Sequence, residues 1–423
     1  MKQALRARLK RLSVEGLPPE VRRHLLSTLD FPGLKALVRA SPTYHEQYHF
    51  DRKFFLCRIL EKLLGSVAVN AYAVYVSRAR GRPQQGNTRQ VVNHVLHPYS
   101  EPFSQRYFLP IGEMTGDDAA SMLAFYRQSV EPIANHFAAW RLHQFEIMCQ
   151  GARDEPIRYD PNNADVDSVT NTEWTRLARA TYRYQLLCQL TGPGTKSDKP
   201  KVDAVLALLR VLEPWEVEEL ECFLEFVRKT YAKVFDDIRK DLHPDNPDFI
   251  VYPHSLLPHG VTLDLNYVIQ YDEQCYEGTS LRGLSLLGKV LFDIQDHQVL
   301  VSTMWENITK SWIPLNDDEG VFGPEMQHRR RQYDPSERDR MEADRVSLPF
   351  RGDGEPDGPP LGWTLIWGGT YINLYGHYIP EIREWGFVFW DAWRLDAMDG
   401  EELLRQQWEE CWGEHTFPGS RPT

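Results

Sequence analysis

Residues 214–242 read PWEVEELECFLEFVRKTYAKVFDDIRKDL. Val217, Leu220, Leu224, Val227, Tyr231, Val234, Ile238 and Leu242 follow one another at steps of three or four, which puts their side chains on one face of an α-helix. Pro214 suits the first turn, where a missing N–H costs no helical bond. A helix of this span is roughly 43 Å long at 1.5 Å per residue. It predicts a central core helix. The seam lacks the flanking paired charges that a dimerising coiled coil uses.

Working outward, the same period recurs. Asp117 to Gln150 is helical by pattern, with a kink or split expected at Pro132. Thr172 is read as the cap of a helix running through Leu190, and two helices are expected over 279–311. Loops are predicted at 78–113, 154–171 and 191–201. Residues 243–266 are interrupted by Pro244, Pro247, Pro253 and Pro258. A strand is expected at 361–373 and little other β-structure elsewhere. The fold expected is mainly α. A basic lead-in (1–16) precedes a three-helix module (17–65) and a large irregular helical body (66–315). A mobile charged linker or insertion (316–360) follows, then an aromatic-rich C-terminal part (361–423) packed on the body. Nine of the twelve Trp lie after residue 300, seven of them in that last part, and large rings need something to bury them.

The 423 residues suit two to three compact units, and 42% apolar against 26% charged residues excludes global disorder. The net charge of −12 argues against non-specific nucleic-acid binding, although residues 1–60 carry +7 and leave −19 for the remainder. The six cysteines, at 57, 149, 188, 222, 275 and 411, form no C-x-x-C and are too sparse for a secreted disulfide scaffold. The N-terminus has no apolar signal region, and the longest uncharged stretch, Gly358 to Pro380, holds five Gly and three Pro. These features point to a soluble protein of a reducing compartment, without a membrane or nucleic-acid partner.

The N-terminal module begins Leu17-Pro18-Pro19-Glu20-Val21. Val21, Leu25 and Leu29 follow at spacing four, Leu26 beside them, until Asp30-Phe31-Pro32-Gly33 breaks the helix. Leu34, Leu37 and Val38 predict a short second helix. Ser41, followed by Pro42, caps a third, which Phe55, Leu56, Ile59, Leu60 and Leu63 carry on to Gly65. In order and span this stretch resembles an F-box: Leu-Pro-x-Glu-hydrophobic, a paired-aliphatic helix, an acidic-Pro break, then Leu34 to Ser41. Tyr44 stands where the family usually carries Trp. The remainder is similar to large, mostly helical F-box-like proteins of filamentous fungi at Glu173-Trp174, Pro214-Trp215-Glu216 and Arg383 to Phe387.

The resemblance implies a non-catalytic substrate receptor of a cullin ubiquitin ligase, acting in protein degradation in the cytoplasm or nucleus without a cofactor. Its partners would be a Skp-type adaptor and an unidentified target protein. Leu17, Pro18, Val21, Leu25, Leu29, Leu34, Leu37, Val38 and Tyr44 would meet the adaptor. Forty residues have too little interior to bury such side chains alone. The other possible cover is the protein's own C-terminal body.

A rival signature lies in the same segment. His45-Glu46-Gln47-Tyr48-His49 is a literal H-E-x-x-H, in which two His at i and i+4 could ligate Zn²⁺ while Glu46 serves as general base. Against a metalloprotease, Arg52 and Phe55 stand where the extended motif needs Gly and His, and Glu61 is not placed to fold back as a third ligand. Other motifs are weaker. His243, His254, His259 and Asp264 match no metal-site spacing. Gly192 to Ser197 lacks the phosphate-loop Gly at position 189, where Gln189 stands. Ser280 is not in a G-x-S-x-G, and Arg329 to Arg331 reads as a solvated charge run rather than a nuclear signal. Trp385, Trp390 and Trp393 read as core.

Overall fold

The computed structural model describes residues 14–79, 96, 112, 114–150, 169–191, 207–209, 211–242, 278–308, 348–355, 357–367 and 380–412. Among them there are helices and turns and no strand, so the chain is mainly α. It divides into two compact units, Met1–Tyr72 with Glu101–Gln128, and Ala73–Ser100 with Ser129–Thr423.

The first unit opens on a 3₁₀ turn, Val14–Gly16, followed by α1 (Pro19–Thr28), α2 (Phe31–Ala40), α3 (Pro42–Phe50) and α4 (Arg52–Leu64). Each boundary has a chemical cause. Pro19 occupies the first position of α1, and the carbonyls of Ser27 and Thr28 at its end accept from Lys62 Nζ at 2.8 and 3.2 Å. The Asp30 carboxylate accepts from Gly33 N at 2.8 Å and starts α2, and the Ser41 hydroxyl caps α3. The third helix of the expected module is thus two, separated at Asp51. Most of the core comes from α4, which buries Phe55, Leu56, Cys57, Ile59, Leu60 and Leu64. That face is wider than three short helices cover. α6 (Gly116–Phe125) completes it with Ala119, Met122 and Leu123, entered through a Thr115/Asp118 capping box. The unit therefore extends past residue 65 and takes in a helix that the sequence reading placed in the body.

α5 (Ala68–Ala79) precedes α6 in the chain. The run Arg52–Arg78 is apolar and long enough to cross a membrane, yet 61% of its most apolar window is buried in the fold. Its backbone also turns at Gly65, φ 49°.

In the second unit, α7 (Glu131–Gln150), α8 (Asn171–Thr191) and the expected long helix, α9 (Pro214–Ile238), pack together with α13 (Pro380–Trp385). Between α9 and α13 in the chain lie α10 (Leu284–Gly288), α11 (His297–Ile308) and α12 (Leu361–Trp367). α14 (Ala392–Ala397) and α15 (Gly400–Trp412) end the described chain. The apolar seam of α9 is buried along its length. Trp215 meets Trp363 edge to face, and Phe145 stacks on Trp385 at 4.5 Å.

The expected interruption at Pro132 is present: a π-helical segment, Tyr126–Val130, separates α6 from α7 just before that proline. Other expectations are not met. α8 is capped by Thr170, whose Oγ1 accepts from Glu173 N at 3.1 Å, while Thr172 Oγ1 donates to the Asp353 carbonyl. The expected strand at 361–373 is helical over Leu361–Trp367. The end of the expected mobile linker, from 348 to 360 apart from 356, is bonded into the second unit. Asp353 accepts from Ala392 N at 3.0 Å, and Asp357 takes a 2.7 Å bond from Arg179. Its acids have buried arginines to meet, which composition does not reveal. Residues 1–13, most of the 78–113 loop, the connections at 154–168 and 192–201, the Pro-rich stretch 243–266, the linker from 316 to 347, and 368–373 lie outside the described residues.

Candidate functional site

The expected adaptor-contact residues divide into two sets. α1 is ten residues long and buries Leu26 alone; α2 buries Leu34 alone; α3 buries Tyr44 alone. Leu34 and Tyr44, at 2% and 0% exposure, are therefore part of the module's own core and present no surface to a partner. The Tyr44 hydroxyl donates to the Val14 carbonyl at 2.9 Å, and Ser41 Oγ donates to Glu15 Oε1 at 2.6 Å. This ring lies inward because its polar tip finds a buried acceptor. Tyr44 thus pins the N-terminal turn to α3 instead of facing outward.

The other set remains at the surface. Val21 is 45% exposed and Pro18 is exposed, while Leu17, Leu25, Leu29, Leu37 and Val38 are half-buried. Leu17, just before α1, and Val21 and Leu25 on it succeed one another at spacing four, an apolar stripe that the fold covers only in part. Phe50 is 87% exposed, and Phe54 lies open beneath the Arg23 guanidinium at 4.2 Å. Four of the eight large apolar side chains exposed among the described residues, Val14, Val21, Phe50 and Phe54, belong to this small unit.

The H-E-x-x-H residues lie on α3. His45 and His49 share a face, with Nε2 atoms 3.2 Å apart, and both are exposed. Glu46, one position on from His45, is exposed too. Among the described residues no third His, Cys, Asp or Glu joins them. The nearby Asp51 is engaged by Gln47 Nε2 at 2.7 Å and Arg23 at 3.4 Å.

A second cluster escaped the sequence reading. In the second unit the side chains of Arg141, Arg176, Arg179, Arg183, Arg383 and Arg394 are buried, as are Glu173, Glu216, Glu218, Glu219, Glu221 and Asp391. Six positive charges thus stand with six negative ones. Arg179 grips Glu219 with two bonds of 2.9 and 2.5 Å, Arg383 grips Glu218 with two of 2.7 Å, and Arg394 grips Glu173 with 2.7 and 2.8 Å. Arg183 spans Glu216 and Glu219, and Arg176 reaches Asp391 at 2.9 Å. Arg141 donates to the backbone carbonyls of Cys222 and Glu384. Burial works against ionisation of Arg179, but Glu219, Glu216 and Asp357 outweigh it and raise its pKa. Burial likewise opposes the Glu216 carboxylate, and Arg183 and Arg179 pull its pKa below the usual range. Burial, helped by the neighbouring Glu216 charge, pushes the Glu219 pKa upward against Arg179 and Arg183, which favour its ionised form. The signal was in the spacing. Arg176, Arg179 and Arg183 sit at steps of three and four on α8, and Glu216/Glu219 and Glu218/Glu221 at steps of three on α9. Every acid and base here is partnered within the fold, so the cluster is a clamp between helices with no free reactive group.

The remaining sequence candidates fall as follows. Trp385 and Trp390 are core, whereas Trp393 is half-exposed beside Arg394. Ser280 is buried. The loop Gly192 to Ser197, the residues His243, His254, His259 and Asp264, and Arg329 to Arg331 lie outside the described residues. Comparison of the chain with known protein families, with curated proteins and with solved structures finds no significant match.

Proposed function

We propose that the chain is an F-box-like substrate receptor, in which the N-terminal unit offers its apolar helix face to a Skp-type adaptor of a cullin ubiquitin ligase. The rest of the chain would select a target protein for degradation, in the cytoplasm or nucleus. Such a receptor needs no cofactor and performs no covalent chemistry. It raises the effective concentration of a target beside a charged ubiquitin carrier. One observation supports the reading: Val21 and Leu25 on α1, with Leu17 just before it, remain exposed or half-buried, and the helix buries only Leu26. A helix whose apolar stripe is only partly covered gains stability when a partner covers the rest. Pro18, Leu29, Leu37 and Val38, exposed or half-buried in the same unit, would add to the contact. Leu34 and Tyr44 serve it by holding the helices in place. A zinc protease is the weaker reading, since its motif has two histidines at an exposed surface and no third ligand among the described residues.

The test is capture of a purified Skp-type adaptor by the full chain, followed by calorimetry. Leu25→Asp is expected to weaken binding by roughly thirtyfold or more, the effect of losing an interface anchor of about 2 kcal/mol. Its helical circular dichroism should stay unchanged, because Leu25 is only half-buried. No adaptor binding by the wild-type protein at about 50 µM, well above the affinity of a specific interface, would sink the proposal. A large drop in the melting temperature of Leu25→Asp would instead mean that the stripe packs within the protein.

A further inference from the structure

The paired histidines of α3 are not used by an adaptor surface, and their geometry has its own meaning. We propose that His45 and His49 form a two-ligand chelate for a borderline divalent transition metal, Cu²⁺, Ni²⁺ or Zn²⁺, loaded reversibly from solution. Their Nε2 atoms are 3.2 Å apart. Two nitrogens at that separation, each about 2.05 Å from one ion, subtend about 103° at the metal. That angle lies between the roughly 90° of octahedral and the roughly 109° of tetrahedral coordination, so neither ring has to move far to bind. The rings meet edge to face, with centroids 4.4 Å apart. Among the described residues each Nε2 has the other as its hydrogen-bond neighbour.

The i, i+4 placement on one helix fixes the backbone spacing of the two rings in advance. His49 is held further by an edge contact with the Tyr48 ring at 5.9 Å. Both side chains are exposed, and an ion can reach them without any opening of the fold. Imidazole nitrogens select Cu²⁺, Ni²⁺ and Zn²⁺ over Mg²⁺ and Ca²⁺, with Cu²⁺ favoured by the general affinity order. Glu46 lies about 100° around the helix from His45 and supplies no ligand to this face. Asp51 is engaged elsewhere. Two or more coordination positions therefore stay open, for water or for a donor from another molecule.

The experiment titrates the full-length wild-type chain and the His45→Gln/His49→Gln double variant with NiCl₂, ZnCl₂ and CuCl₂ at pH 7.5. Binding sites elsewhere in the chain are common to both proteins and cancel. The wild type should show one additional equivalent of bound metal, and each single variant should weaken that step by about tenfold or more. A second measurement needs no variant. Zn²⁺ should shield both His45 and His49 of the wild type from diethyl pyrocarbonate, as mapped by peptide mass spectrometry. Identical titrations of wild type and double variant, or equal modification of both histidines with and without Zn²⁺, would overturn the proposal.

Discussion

At Gly362 a hydrogen atom occupies the only space available. A Cβ built there would run into the carbonyl oxygen of Phe387, and Leu395 lies at 3.6 Å. Backbone cannot yield as a flexible side chain can, so Gly362→Ala should destabilise the second unit by about 1–3 kcal/mol, the range for overpacking. A lowered urea midpoint would show it, and an unchanged midpoint would mean that α12 can slide away from Phe387. Tyr44 carries the same lesson in the other direction. Its position in the N-terminal pattern was legible, but its orientation was not. An aromatic after Ser-Pro on an amphipathic helix reads equally well as facing a partner or facing inward. The 2.9 Å bond from its hydroxyl to the Val14 carbonyl decides the matter, and that acceptor lies thirty residues away in sequence.

At the scale of elements, α8 and α9 are joined as much by charge as by apolar packing. Removing one member of a buried ion pair leaves the other uncompensated, which typically costs about 3–5 kcal/mol. Arg179→Met should therefore lower stability by about that amount, read by chemical denaturation with tryptophan fluorescence. Arg179→Met combined with Glu219→Met should recover part of the loss, because no unpaired carboxylate then remains at position 219. A double variant that is less stable than the single by the full cost of a second independent lesion would contradict the pairing. Periodicity found α9 but gave an incomplete account of it. The stripe Val217 to Ile238 is buried as expected, yet Glu216, Glu218, Glu219 and Glu221 are buried as well. Acids between apolar positions read as a solvated face until arginines from other elements are seen to meet them.

Over the whole molecule, acidity should loosen the fold before it reaches the carboxylates. His136 packs against the Phe226 and Phe292 rings at 5.9 and 5.6 Å, and burial together with Lys233 depresses its pKa below the usual 6.5. In the unfolded chain this imidazole takes up a proton near pH 6.5, whereas in the folded chain it does so only at lower pH. Its contribution is therefore complete above about pH 6.5 and is lost as pH falls through the folded value. The denaturation free energy should be lower at pH 5.5 than at pH 7.5, and His136→Phe should flatten that slope. An equal slope in the variant would place the effect elsewhere, for instance at His143, whose pKa burial also lowers. Glu216, held below the normal carboxylate range, adds a second loss only below about pH 4.5.

Local rules were enough to determine the helical class, the long helix from Pro214, and the breaks at Asp30 and Ser41. Side-chain spacing, proline and capping chemistry act over a few residues, and a sequence displays them directly. The tertiary structure alone decided which unit Gly116–Phe125 joins, that Leu361–Trp367 is helical, that Asp353 and Asp357 are bonded into the second unit, and that Leu34 and Tyr44 point inward. It also paired the buried arginines with their acids. Each of these outcomes depends on partners tens to hundreds of residues away, such as Arg383 with Glu218. The cost of burying a charge or a polar group is set by whether such a partner is in reach, and a single stretch of sequence does not contain that information.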